Sequence, residues 1–216
     1  NKYYTTLEAA LAAAKAGDVI KLLVPYVVEA GETVEIDLKG VTIVYDSTVQ
    51  SEAMITNKGT LTINDSVGGG VINYNYTGAA DPSYGKGNYT IDNYGTLTIN
   101  GGKLTIANLS GHAKYVINNN SGIGDASLVI TGGHLYNYNT SAIRQIANST
   151  NKNSVTINGG LIEGYCAIWV QNPGQGTVNA TLSINGGEIK STAKAYVNGT
   201  AKLEDVSSAI YFTIAE

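Results

Sequence analysis

The chain's 216 residues include 13 basic and 17 acidic side chains, a formal net charge of -4 with only 14% of positions charged. So mild and acidic a balance excludes a protein that tracks nucleic-acid phosphates, and no run of about 18 apolar residues is present for membrane insertion. Apolar residues at 43% suffice for one extended core, the 26 Gly and 15 Tyr favour exposed β structure broken by turns, and the single Cys166 allows no internal disulfide.

In chain order, Thr5 with Glu8 predicts a capping box, Leu7, Leu11 and Ala14 share a helical face, and Gly17 supplies a stop, which gives a helix over 7–16. It is too short to stand alone and is expected to cover the open end of the strands that follow. From Val19 the apolar period becomes two, in Val19–Leu22, Val34–Leu38 and Val41–Val44. One phrase then returns five times: Leu61-Thr-Ile-Asn-Asp, Leu97-Thr-Ile-Asn-Gly-Gly, Leu128-Val-Ile-Thr-Gly-Gly, Val155-Thr-Ile-Asn-Gly-Gly and Leu182-Ser-Ile-Asn-Gly-Gly. Repetition of a strand phrase means that each unit buries its apolar face on copies of itself.

Successive copies start 36, 31, 27 and 27 residues apart, so the strands are kept while the loops differ. Each unit holds a second strand after the glycine pair (Val71, Lys103, His134, Leu161 and Glu188 begin them). A third precedes the next phrase, starting at Met54, Thr90, Val116, Ala142 and Ala167. Three strands per turn, each pairing in parallel with its copy, predict an all-β, right-handed parallel β-helix of about seven coils. Residues 1–18 form the N-terminal cap and 19–216 the helix, in one domain. At the usual strand spacing the rod is on the order of 35 Å long. Alternation places Leu61, Ile63, Leu97, Ile99, Leu128, Ile130, Val155, Ile157, Leu182 and Ile184 inside, and the Asn-Gly-Gly corner tolerates positive φ.

The opening Thr6-Leu-Glu-Ala-Ala, the later Ala16-Gly-Asp-Val-Ile-Lys-Leu and the Gly-Thr-Leu-Thr-Ile-Asn-Gly-Gly coils resemble the pectin-lyase-like β-helix domains of bacterial adhesin-like surface proteins. The resemblance covers nearly the whole chain. It implies the β-helix fold and a secreted or wall-attached setting beside other domains of a larger surface protein. It specifies a scaffold and no chemistry.

Enzymes of such folds place paired carboxylates across a glycosidic bond, or clustered acids for Ca²⁺ beside a basic residue. The acids here are scattered, Arg144 is the only arginine, and His112 and His134 stand apart from any patterned carboxylate pair. No catalytic residue, metal or cofactor is therefore expected.

Exposed rings point instead to binding. With Ile72, Leu104, Leu135, Ile162 and Ile189 inward on the second face, Tyr136, Tyr138 and Tyr165 point outward. Inward Ile91, Ile117, Ile143 and Ile168 on the third face leave Asp92, Asn118, Arg144 and Trp169 in an outward column. Across a short corner Tyr138, Tyr165, Arg144 and Trp169 are expected to gather into an aromatic platform suited to a glycan or a host or cell-surface protein. Tyr84, in the long loop 77–88, is a further candidate contact. Two hydroxyl columns flank the first-face inward residues, Asn57, Asn93, Asn119 and Asn172 are expected to form an amide ladder, and Cys166 is read as a buried filler. A non-catalytic adhesive or glycan-binding module is the resulting expectation; a polysaccharide-active enzyme and a passive stalk are the alternatives.

Overall fold

The computed structural model describes residues 2–78, 87–108, 114–172, 178–192 and 208–214. Three parallel sheets wrap one core as a β-solenoid of about six turns. The first face, built on the repeated phrase, contains Thr33–Asp37, Thr60–Asn64, Thr96–Ile99, Ala126–Ile130, Asn153–Ile157 and Ala180–Ile184. The second contains Val19–Leu22, Thr42–Ser47, Val71–Tyr76, Lys103–Asn108, His134–Asn137, Leu161–Gly164 and Glu188–Ser191. On the third lie Tyr26–Val28, Ala53–Asn57, Asn88–Asn93, Lys114–Asn120, Ile143–Ile146, Ile168–Asn172 and Ile210–Ile214.

Register joins like to like. Leu61, Leu97, Leu128, Val155 and Leu182 make one column, and Ile63, Ile99, Ile130, Ile157 and Ile184 the next. All but the last rung are fully buried; Ile184 is 43% exposed and Leu182 half-buried because their strand ends its sheet. The glycine pair that follows the phrase meets two separate constraints. Its second member, at Gly102, Gly133, Gly160 and Gly187, has φ between +79 and +85, which L side chains rarely adopt. Its first member passes close to the turn before: a Cβ on Gly132 or Gly159 would stand 2.5 or 2.3 Å from the carbonyl oxygen of Asn100 or Thr131.

The helix is Leu7–Ala13, shorter than the spacing predicts, and its cap is Thr6 rather than Thr5, with Thr6 Oγ1 accepting from the Ala9 amide at 3.2 Å. Glu8 forms no capping box. Its carboxylate accepts instead from the Tyr26 hydroxyl at 2.6 Å, which ties the helix to the third face. Leu7 belongs to the core cluster and Leu11 packs against it, so the helix lies on the first turn as its amphipathic pattern requires.

Buried amides line the corner between the third and first faces. Asn57 Nδ2 donates to Asn93 Oδ1 and Asn93 Nδ2 to Asn119 Oδ1, each at 2.7 Å. The ladder then leaves its predicted course: Gln145 holds the next register position, and Asn119 Nδ2 donates to Asn153 Oδ1 at 2.6 Å on the first face. Beyond Gln145 the register position is held by Val170, and Asn172 stands two residues further along that strand. Gln145, one methylene longer, reaches across to the carbonyls of Asn153 and Thr181, both at 3.1 Å. Cys166 is half-buried in a turn, not the buried filler expected.

These constraints make the corner glycines unequal to other glycines. Gly133→Ala, with φ +85 and a Cβ site 2.7 Å from the Gly102 carbonyl oxygen, is expected to cost roughly 1–3 kcal/mol in urea unfolding of the full chain. Gly124→Ala, where a Cβ meets nothing within 4 Å, is expected to stay within about 0.5 kcal/mol of the parent.

Candidate functional site

Strict alternation fails on the third face, and the failure builds the site. Consecutive residues are both fully buried at Met54–Ile55, Thr90–Ile91, Val116–Ile117, Ala142–Ile143 and Ala167–Ile168. Thr90 Oγ1 confirms the inward turn by donating to the Thr105 carbonyl of the second face at 2.9 Å. Each such pair reverses the parity of the residues before it. Asn88 and Lys114 are thereby turned inward, where Asn88 Nδ2 donates to the Tyr74 hydroxyl at 3.0 Å and the Lys114 ammonium lies 4.2 Å from the Tyr76 ring centre. Tyr89 and Tyr115 turn to the other side, beside the outward column.

That column is Thr56, Asp92, Asn118, Arg144, Trp169 and Tyr211, one residue per rung in continuous register. The Arg144 guanidinium lies beside a pair of neighbouring rings, 5.2 Å from the Tyr115 ring centre and 5.4 Å from that of Trp169, with the two ring centres 6.0 Å apart. Its Nε and one terminal nitrogen both donate to Gln171 Oε1, at 2.9 and 2.5 Å. Trp169 is fixed in turn by Nε1, which donates to Thr213 Oγ1 at 2.7 Å, and its ring centre stands 6.5 Å from that of Tyr211. Tyr89 stacks on Tyr115 at 6.1 Å with 16° between planes. Each ring contact contributes about 0.5–1.5 kcal/mol, and each cation–π contact a similar amount, so the strip is stiff before any ligand arrives.

Two polar members of the column, Asp92 and Asn118, are buried, against the expectation of an outward pair. Asp92 is 9% exposed and Asn118 1%. Asp92 accepts from Asn118 Nδ2 at 2.8 Å and from the Tyr94 hydroxyl at 2.9 Å. Burial raises the Asp92 carboxyl above its ordinary 3.8, although Asn118, Tyr94 and the nearby Arg144 charge all oppose the shift. Burial likewise raises the Tyr94 phenol, with the Asp92 charge adding to it. Asn118 Oδ1 is a buried acceptor without a hydrogen-bond partner.

The other predicted contacts fall elsewhere. On the second face Tyr136 sits 5.8 Å from the His134 ring, with the Lys103 ammonium 5.2 Å from its own ring centre. His134 is not isolated as its sequence setting implies: Nε2 stands 2.5 Å from Glu163 Oε2, a partner on the adjacent strand. Tyr138 and Tyr165 are 59% and 43% exposed at the corner after this face. Among the described residues no ring contact or hydrogen bond joins them to Arg144 or Trp169. Tyr84 and His112 lie outside the described residues. The sequence reading missed Tyr89, Tyr94, Tyr115, Gln171, Tyr211 and Thr213; for Tyr115 the signal was the doubled apolar pair Val116–Ile117 that follows it, whereas Thr90, before Ile91, gives no apolar signal for Tyr89.

Among the described residues no three His, Cys, Asp or Glu side chains converge as metal ligands, and no helix is long and apolar enough to cross a membrane. No known protein family, curated protein or solved structure matches the chain.

The Asp92 environment sets a pH dependence with a definite sign. A raised native pKa means that the folded chain binds this proton more tightly than the unfolded one, so the contribution to stability is full below pH 3.8 and is lost as pH rises through the folded value. Asp92→Asn removes the burden of the buried charge while keeping an acceptor for Tyr94. In urea unfolding at pH 7 the variant is expected to be at least as stable as the parent, and its advantage is expected to vanish below pH 3.8.

Proposed function

We propose that this chain is a non-catalytic, glycan-binding β-solenoid module of an extracellular, adhesive surface protein, and that the third-face strip of Arg144, Trp169 and Tyr211 is its contact surface. The observation that carries the reading is the locked column: a guanidinium set against the Tyr115 and Trp169 rings, followed on successive rungs by that indole and a half-exposed phenol. Aromatic faces stack on the C–H faces of pyranose rings, and their rigidity keeps the ordering cost of binding low. The likeness of the opening segment and coils to adhesin-like surface domains supports the same reading, including the cell-surface setting and the presence of further domains.

Such a strip makes a sharp demand on mutants. On a glycan array, Trp169→Ala is expected to weaken every specific signal by about 10-fold or more, the effect of losing a central aromatic anchor. Tyr138→Ala, which removes an exposed ring outside the strip, is expected to leave the signals unchanged. Equal loss from both variants, or from neither, would remove the strip from the proposal.

A further inference from the structure

Resting on that reading, we infer that the ligand is a neutral, linear glycan of β-1,4-linked, equatorially substituted pyranoses lying along the solenoid axis, about one sugar per rung. Three observations point to it.

Direction comes first. Arg144, Trp169 and Tyr211 are register partners on three consecutive strands, so the strip runs along the axis with steps of about 4.8 Å. The ring row continues the same way from Trp169 to Tyr115 at 6.0 Å and on to Tyr89, but Tyr115 is only 4% exposed, so the open part of the strip is Arg144, Trp169 and Tyr211. A terminal sugar needs a closed pocket with converging polar groups. This surface is instead an open row.

The second observation is how the polar atoms of the strip are spent. Trp169 Nε1 is committed to Thr213, and Arg144 Nε and a terminal nitrogen to Gln171. The indole is left with its ring faces, whereas two of the five Arg144 N–H groups go to Gln171, so recognition rests on stacking at the rings with Arg144 as the one charged donor beside them. Pyranoses with all substituents equatorial carry C–H groups on both faces. A β-1,4 linkage, which turns each unit over relative to the last, therefore still presents an apolar face to every rung.

Charge decides between neutral and anionic polymers. The outward column reads Thr56, Asp92, Asn118, Arg144, Trp169 and Tyr211, with one cation and one acid over six rungs. The nearby Lys114 is buried against Tyr76 on the inward side. A polyuronate carries a carboxylate on each sugar and needs a cation at each step. A neutral chain needs none.

Trp169 is the sole tryptophan, so intrinsic fluorescence reports the strip directly. The test titrates the full chain with glucose, with cello-oligosaccharides of increasing length and with chito-oligosaccharides, and runs oligogalacturonate in parallel. Expected are no response to glucose, an affinity that rises with length and levels off at about three units, and no dependence on salt. Tyr211→Ala is expected to weaken the longest oligosaccharide about 10-fold and to shorten the plateau by one unit, while its circular dichroism matches the parent. Glucose binding as tightly as the hexamer, or oligogalacturonate binding more tightly in a salt-sensitive way, would overturn this ligand class and leave the glycan-binding function standing. Silence in every arm, together with a blank array from folded protein, would overturn both.

Discussion

In-register parallel stacking is the constraint from which the rest of this molecule follows. Each strand lies over its copy from the previous turn with the same residue at the same height, as the Leu61, Leu97, Leu128 and Val155 column illustrates. Because side chains alternate with period two, a slip of one residue would carry a whole apolar column to the solvent side. The register is thus held by hydrophobic burial at every rung. Stability accrues between neighbouring turns, and among the described residues a strand with one sheet neighbour is less buried than one with two. Ile184 at 43% exposure and Tyr211 at 50% lie on such strands.

Stacking also converts sequence columns into surface columns, and this is where the amino-acid sequence could be read furthest. First-face burial was legible residue by residue, since the phrase has an unbroken period of two and is closed in four of its five copies by a glycine pair whose second member holds a φ that L side chains rarely adopt. The alignment of Asp92, Asn118, Arg144 and Trp169 was legible for the same reason. Two things defeated the extrapolation. Where an inward isoleucine follows another inward residue, as at Val116–Ile117, counting by twos back to Tyr115 gives the wrong side. Where a corner folds one face against another, adjacency in space has no trace in spacing, which is why the amide ladder passes from Asn119 to Asn153 instead of Asn172. The His134–Glu163 pair failed differently: its members are diagonal neighbours on adjacent strands, and their contact depends on rotamers that register alone does not set.

Mixed columns behave unlike uniform ones. A uniform leucine column gains from every copy, whereas the outward third-face column places an acid, an amide, a guanidinium and an indole in succession. Parallel pairing brings these within reach of one another whether or not they suit, so their compatibility reflects particular side chains. Arg144 suits because its planar guanidinium can lie against the neighbouring Tyr115 and Trp169 rings and still donate two bonds to Gln171. A lysine ammonium at this position has no plane to stack and would leave Gln171 with one donor at most. Asp92 is tolerated next to this group because Asn118 and Tyr94 both donate to it, although burial still disfavours its charge.

The strip is completed by Ile210–Ile214, the last strand among the described residues, and this links recognition to an end of the described third-face sheet. Thr213, which fixes the indole, and Tyr211, which extends the ring row, both belong to Ile210–Ile214, which among the described residues has one sheet neighbour. Terminal elements with one neighbour open at a lower free energy than the centre of a solenoid. Any ligand that bridges Trp169 and Tyr211 binds the closed arrangement and not the opened one, and so must draw the last turn closed by mass action. The interior rungs, rigid through Arg144, Tyr115 and Gln171, then act as a preformed template, and the terminal strand supplies the part whose docking depends on what lies across it.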